Sequence, residues 1–229
     1  MSAGLHGASV ALAVTLVAAS AFPNGTGAQE GGASTGASVI ALPPLLPEAD
    51  EIALALTAAP AQLSAASTVW VLRRGGYVRV REGTNGFTCY VGRDHPESLY
   101  PICFDAEASQ TILRAALRER ALLERGRSVE EAATEVALAY ANGALRPPAR
   151  PAMAYMMSPR QVIYSSARGR RVGSWHPHLM LYMPYATRDQ LGLADRMLGS
   201  QLSIDDEGSP TAHMVIVLPA WSTGEAAAP

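Results

Sequence analysis

Residues 1–28 carry the pattern of a secretory signal, and the compartment it implies governs how every later cysteine and histidine is read. An apolar stretch runs from Ala8 to Phe22 and breaks at Pro23-Asn24-Gly25. Two small-residue sites, Ala19-Ser20-Ala21 and Thr26-Gly27-Ala28, are placed for cleavage. The segment holds no Asp, Glu, Lys or Arg, so the amino terminus itself must supply the usual positive charge. Read instead as an uncleaved anchor, a run of about 15 residues is short against the roughly 20 that span a bilayer. No later segment is apolar for long enough to do so. The sequence therefore predicts a secreted or periplasmic chain with no transmembrane segment after cleavage.

About 200 residues would then remain, enough for one domain with its own core. The net charge is −2, which gives no reason to expect nucleic acid or an anionic membrane as a partner. All 18 basic residues are arginine, because the sequence has no lysine. A lysine Schiff base, a Ser-Lys dyad and a P-loop lysine are thereby excluded.

In an oxidising compartment the two cysteines, Cys89 and Cys103, read as a disulfide. The closed loop of about 15 residues would contribute roughly 3 kcal/mol. A metal pair or two buried thiols are the alternatives, although the spacing matches no common zinc knuckle.

Residues 29–47 are rich in Gly, Ala, Ser and Pro and read as a flexible tether. A single globular domain is expected over 48–222, followed by a soft tail at 223–229. Residues 48–58 suit a short helix with acids in its first turn. Three apolar alternating segments follow: Thr68–Leu72, Tyr77–Arg81 and Phe87–Val91. Gly75-Gly76 and Asn85-Gly86 punctuate them, which predicts a three-stranded antiparallel meander. Asp105 can cap a helix of about 20 residues. Ser128 and Glu131 form a capping box for a second helix, whose inner face would hold Val129, Ala132, Ala133, Val136, Ala137 and Tyr140. Strand signals return at Met153–Met157, Gln161–Ser165 and His178–Tyr185, with a last pair at Gln201–Ile204 and Ala212–Leu218. A short helix is expected after Thr187. The fold class is α+β: a mainly antiparallel sheet with a helical hairpin inserted between its N- and C-terminal strands.

One segment stands out chemically. Across Ser174–Tyr185, alternation places His176, His178, Met180 and Tyr182 on one face of a strand. Trp175, Pro177, Leu179, Leu181 and Met183 take the other, which reads as core. His-x-His on a strand can present two imidazoles to one metal. His213 is the first choice for a third ligand, then His95 or Asp94. The nearby methionines Met153, Met156, Met157, Met180, Met183 and Met214 would suit copper, and zinc is the other candidate ion. Against this, both histidines can be ordinary strand residues bonded to carbonyls. No G-x-S-x-G is present, and the Asp205-Asp206-Glu207-Gly208 turn lacks EF-hand spacing.

Two classes of function follow. One is a non-enzymatic exported binding or envelope-associated module. The other is a copper- or zinc-dependent protein centred on His176 and His178.

Overall fold

The computed structural model describes residues 41–165, 170–174, 176–193 and 202–219. The expected signal segment 1–28 and the tail at 223–229 lie outside the described residues. So does Trp175. All the described residues fall within the compact unit Ala37–Pro229.

The architecture is mixed α+β. Helix α1 (Glu48–Leu56) and the short α2 (Ala61–Ser64) precede strands β1 (Thr68–Arg73), β2 (Gly76–Arg81), β3 (Thr88–Gly92) and β4 (Tyr100–Phe104). Helices α3 (Ala106–Gln110), α4 (Ile112–Glu124) and α5 (Val129–Ala141) come next. Strands β5 (Ala152–Met156), β6 (Val162–Ser165), β7 (Arg170–Ser174), β8 (His178–Tyr182), β9 (Leu202–Asp205) and β10 (His213–Val217) complete the described chain. Eight strands form one sheet in the order β2-β1-β3-β4-β5-β8-β10-β9, and β6-β7 form a separate ribbon. The N- and C-terminal strand groups are thus one sheet, joined where β4 meets β5. The helices α3–α5 are the expected insertion between them.

The sheet is mostly antiparallel, with one parallel pair. β1 and β2 make the expected hairpin, with Gly75 and Gly76 at positive φ. The expected meander fails at β3, which lies on the other side of β1 and runs parallel to it. The chain passes around the end of β1 through residues 82–87. There the Gly83 N–H donates to Thr68 Oγ1 at 3.0 Å, and the Asn85 side-chain amide donates to the Leu63 carbonyl at 2.7 Å. A Cβ on Gly83 would lie 2.2 Å from the Thr68 nitrogen, so only glycine lets the loop lie this close.

Cys89 and Cys103 are direct cross-strand partners on β3 and β4. Their Cα atoms are 4.0 Å apart and their sulfurs stand at disulfide distance, 1.91 Å. Cys103 lies inside β4.

Asp105 caps the inserted helices as expected, its carboxylate accepting from the Ala108 N–H at 2.8 Å. The expected 20-residue helix is broken at Thr111, whose φ of −121° and ψ of −77° leave the helical region. The Ser128–Glu131 capping box is complete on both sides. Thr187 opens a turn rather than a helix, and its N–H donates to Gln190 Oε1 at 2.9 Å.

The sheet has two covered faces. On one, α1 and the turn after it place Leu54, Ala55 and Ala58 against Val69, Val71, Cys89, Val91 and Cys103. On the other, α3 and α4 place Ala108, Ile112 and Leu113 against Tyr90, Ile102, Phe104, Ala154, Met180 and Val215. Residues 41–47, read as the end of a tether, reach the body: Pro43 is buried, and the Pro44 carbonyl accepts from Arg93 Nη1 at 2.6 Å.

Candidate functional site

Strand register builds the site. One row runs across five strands as Phe104, Ala154, Met180, Val215 and Ser203, each opposite the next. A second row runs Ala152, Tyr182, His213 and Asp205. Cross-strand partners share a face, so both rows look toward the helices. The disulfide belongs to a row on the opposite face, Cys89, Cys103, Tyr155, Leu179, Ile216 and Leu202.

The helices cover this face only in part. The longer α4 lies over Tyr90, Ile102 and Phe104. α5 packs against α4 through small residues: Ala139 joins Ala115 and Leu145, and Ala132 joins Leu122 and Leu123. Ala133 and Ala137, expected on the helix's inner face, remain exposed. They border a cleft of about 1510 Å³ between the hairpin and the sheet. The apolar floor includes Ile102, Met156, Met180 and Val215. Tyr164 of β6 is part of its wall, and that strand is tied down by ring stacking on His95 with centroids 3.6 Å apart.

The lining also carries polar groups. The β9–β10 turn carries Asp206 at a φ of 54°, with its Oδ2 accepting from Thr211 Oγ1 at 3.0 Å. Glu207 accepts from the Arg188 N–H at 2.6 Å and pairs with its guanidinium at 3.6 Å. Glu119 enters from α4. Burial holds its carboxyl above the ordinary range, Asp94 and Asp206 push it further, and Arg120 opposes them. Tyr140 on α5 presents a hydroxyl that is enclosed yet has no hydrogen-bond partner among the described residues. Burial pushes that hydroxyl up to about 12, helped by Tyr185 and Asp206.

The three expected metal ligands are not brought together. His176 lies before β8 and is exposed. Its carbonyl accepts from His178 Nδ1 at 2.8 Å, which fixes the proton of a neutral His178 ring on that nitrogen. His178 is 3 % exposed and lies in the cleft wall, its pKa lowered chiefly by burial and then by His213. His213 stands opposite Tyr182, whereas His178 stands opposite Val217. Four residues of strand separate the two positions, about 13 Å at the usual rise. His213 Nδ1 donates to the Thr211 carbonyl at 2.9 Å, and its ring lies 5.1 Å from that of Tyr182. Among the described residues no group of three His, Cys, Asp or Glu is placed to hold a metal ion.

The face assignment on β8 is also reversed. His178, Met180 and Tyr182 are the buried side chains, and Leu179 and Leu181 are half-exposed. Sequence reasoning named Asp94 only as a possible ligand, found no EF-hand spacing in the 205–208 turn, and missed Glu119 and Tyr140 as site residues. The available signal was the alanine spacing on α5, which leaves room where larger residues would have filled it. Comparison with known proteins finds no matching family model, no matching curated protein and no matching solved structure.

Proposed function

We propose that this chain is an exported, non-enzymatic binding module that holds a mainly apolar small molecule between α5 and the face of β5, β8 and β10. The observation that carries this reading is the cleft itself. Its volume of about 1510 Å³ leaves ample room for a small molecule, whose sites are usually roughly 300–1,000 Å³. Its floor is apolar, made of Ile102, Met156, Met180 and Val215 from the core of the sheet. Its lining also carries polar groups, among them His178, His213 and the Asp205–Glu207 turn, which can orient a ligand. Export is supported by the signal pattern at 1–28 and by a cysteine pair at disulfide distance.

The test is titration with a neutral solvatochromic dye such as Nile red. Saturable binding is expected for the natural sequence. Ala137→Trp, at an exposed position on the cleft wall, is expected to abolish it while leaving the circular dichroism unchanged. A folded protein that takes up no neutral apolar probe would overturn the reading. Mass spectrometry of exported protein should show loss of about 28 residues from the amino terminus.

A further inference from the structure

We propose that the small cavity between α4 and strands β2–β4 holds one compact monovalent anion, a halide or a carboxylate group, bound between Arg93 and Arg120. The proposal stands apart from the cleft reading above and does not depend on it.

Two buried guanidiniums supply the charge argument. Arg93, just after β3, is 3 % exposed, and Arg120 on α4 is 4 % exposed. Both line a cavity of about 40 Å³. Arg120 is compensated: its Nη2 stands 3.0 Å from Glu124 Oε1 as an ion pair, and its Nη1 donates to the Arg93 carbonyl at 3.0 Å. Arg93 has no such counter-charge. Its Nη1 donates to the neutral Pro44 carbonyl at 2.6 Å, and no ion pair among the described residues engages it. Glu51 lies within electrostatic reach of Arg93 but makes no ion pair with it, and Glu51 Oε1 is committed to the Leu72 N–H. A buried cation without a partner is strongly unfavourable, and an anion beside it removes that cost. One uncompensated positive charge calls for one negative charge.

The donors point the same way. Arg93 Nε, Arg93 Nη2 and Arg120 Nε are buried with no hydrogen-bond partner among the described residues. Buried donors are rarely left unmatched, and these call for an acceptor. Water would supply hydrogen bonds but not the charge. Tyr90 and Tyr100 line the same cavity. Burial raises both hydroxyls, so they keep their protons and can donate as well. A water needs roughly 10–15 Å³, so about 40 Å³ admits a compact ion and excludes a bulky one. Two carboxylates share the lining. Asp94 is exposed, so solvent and salt screen it. Burial holds the Glu119 carboxyl above the ordinary range, which favours its uncharged form. The cavity adjoins the cleft, with Tyr90, Tyr100 and Ala116 in both linings. The anion is therefore either a free ion or the carboxylate of a longer molecule lying in the cleft.

The experiment follows Tm at constant ionic strength while sodium chloride or sodium acetate replaces sodium gluconate, whose anion is too bulky for the cavity. Each tenfold rise in chloride or acetate above its Kd is expected to raise Tm by about 3–6 °C. Arg93→Gln should lose this dependence. Bromide anomalous scattering from crystals of the natural protein needs no variant, and a peak beside Arg93 Nε and Nη2 is expected. Octanoate separates the two sources. An affinity at least about tenfold above that of acetate, with displacement of Nile red, assigns the carboxylate of a cleft occupant, and equal affinity assigns a free ion. A flat Tm series, an equal dependence in Arg93→Gln, or bromide only elsewhere on the protein would overturn the proposal. Arg93 would then be satisfied by Glu51 or by water. Binding of the neutral dye alone tests the cleft and is untouched by these outcomes.

Discussion

Gly92 and Tyr100 face each other across β3 and β4, and the tyrosine ring lies over the glycine where a side chain would stand. A Cβ built on Gly92 would come within 2.0 Å of that ring. Gly92→Ala must therefore displace Tyr100, which is part of both the core and the cleft wall. Overpacking of this kind costs about 1–3 kcal/mol. A urea midpoint should fall accordingly, and dye affinity should fall with it. An unchanged midpoint would show that the ring moves freely.

The Cys89–Cys103 pair joins adjacent strands at the centre of the core beneath α1. Cys89→Ala/Cys103→Ala should lower the unfolding free energy by about 3 kcal/mol. Reduction of the natural protein in denaturant should reproduce that loss. Neither treatment should change the cleft directly, because the pair lies on the opposite face of the sheet.

Glu119 and His178 bias stability in opposite directions as pH changes. Burial, then Asp94, raises the Glu119 carboxyl, so the folded chain retains a proton that the unfolded chain has released. Its contribution is fully present at low pH and is lost as pH rises out of the ordinary carboxylate range. Burial, then His213, lowers His178, so the folded ring stays neutral where the unfolded ring takes a proton. That contribution is lost as pH falls below about 6.5. Melting temperatures from about pH 4 to pH 8 should therefore show a shallower alkaline decline in Glu119→Gln. They should show a shallower acid decline in His178→Asn, whose amide can still donate to the His176 carbonyl.

Ser128 is buried, and its hydroxyl accepts from the Glu131 N–H at 3.2 Å while Glu131 Oε2 accepts from the Ser128 N–H at 2.9 Å. Ser128→Ala should cost about 1 kcal/mol in chemical denaturation. Ser128→Asp, which keeps an acceptor at the cap, should recover most of it. Because α5 is a cleft wall, the alanine variant should also bind the neutral dye more weakly.

Local signals in the sequence were sufficient where the structure is local. Gly75-Gly76 specifies the β1–β2 turn, Asp105 and Ser128 mark helix starts, and the two cysteines stand opposite each other on neighbouring strands. What local signals lack is information about partners far along the chain. Nothing in residues 87–91 says that β3 will pass β1 and join it in parallel, since such pairs usually need a dozen or more connecting residues. β4 was hidden by Pro101, a residue suited to strand edges. It is tolerated because β5 pairs only with Cys103 and Phe104, beyond the proline. The buried face of β8 was reversed because the helices that cover it are contributed by residues 106–141. The cleft was illegible for a related reason: a periodic run of alanines looks the same whether it packs tightly or stands clear.

The strand order has a consequence for the timing of assembly. β10 is the last described strand in the sequence, yet it lies inside the sheet between β8 and β9. A growing or threading chain lacks the centre of this half until residues 213–217 are available. Before then β8 has an open edge, β9 has no neighbour, and the floor around Met180 is incomplete. The floor around Met180 is therefore complete only once residues 213–217 have joined the sheet.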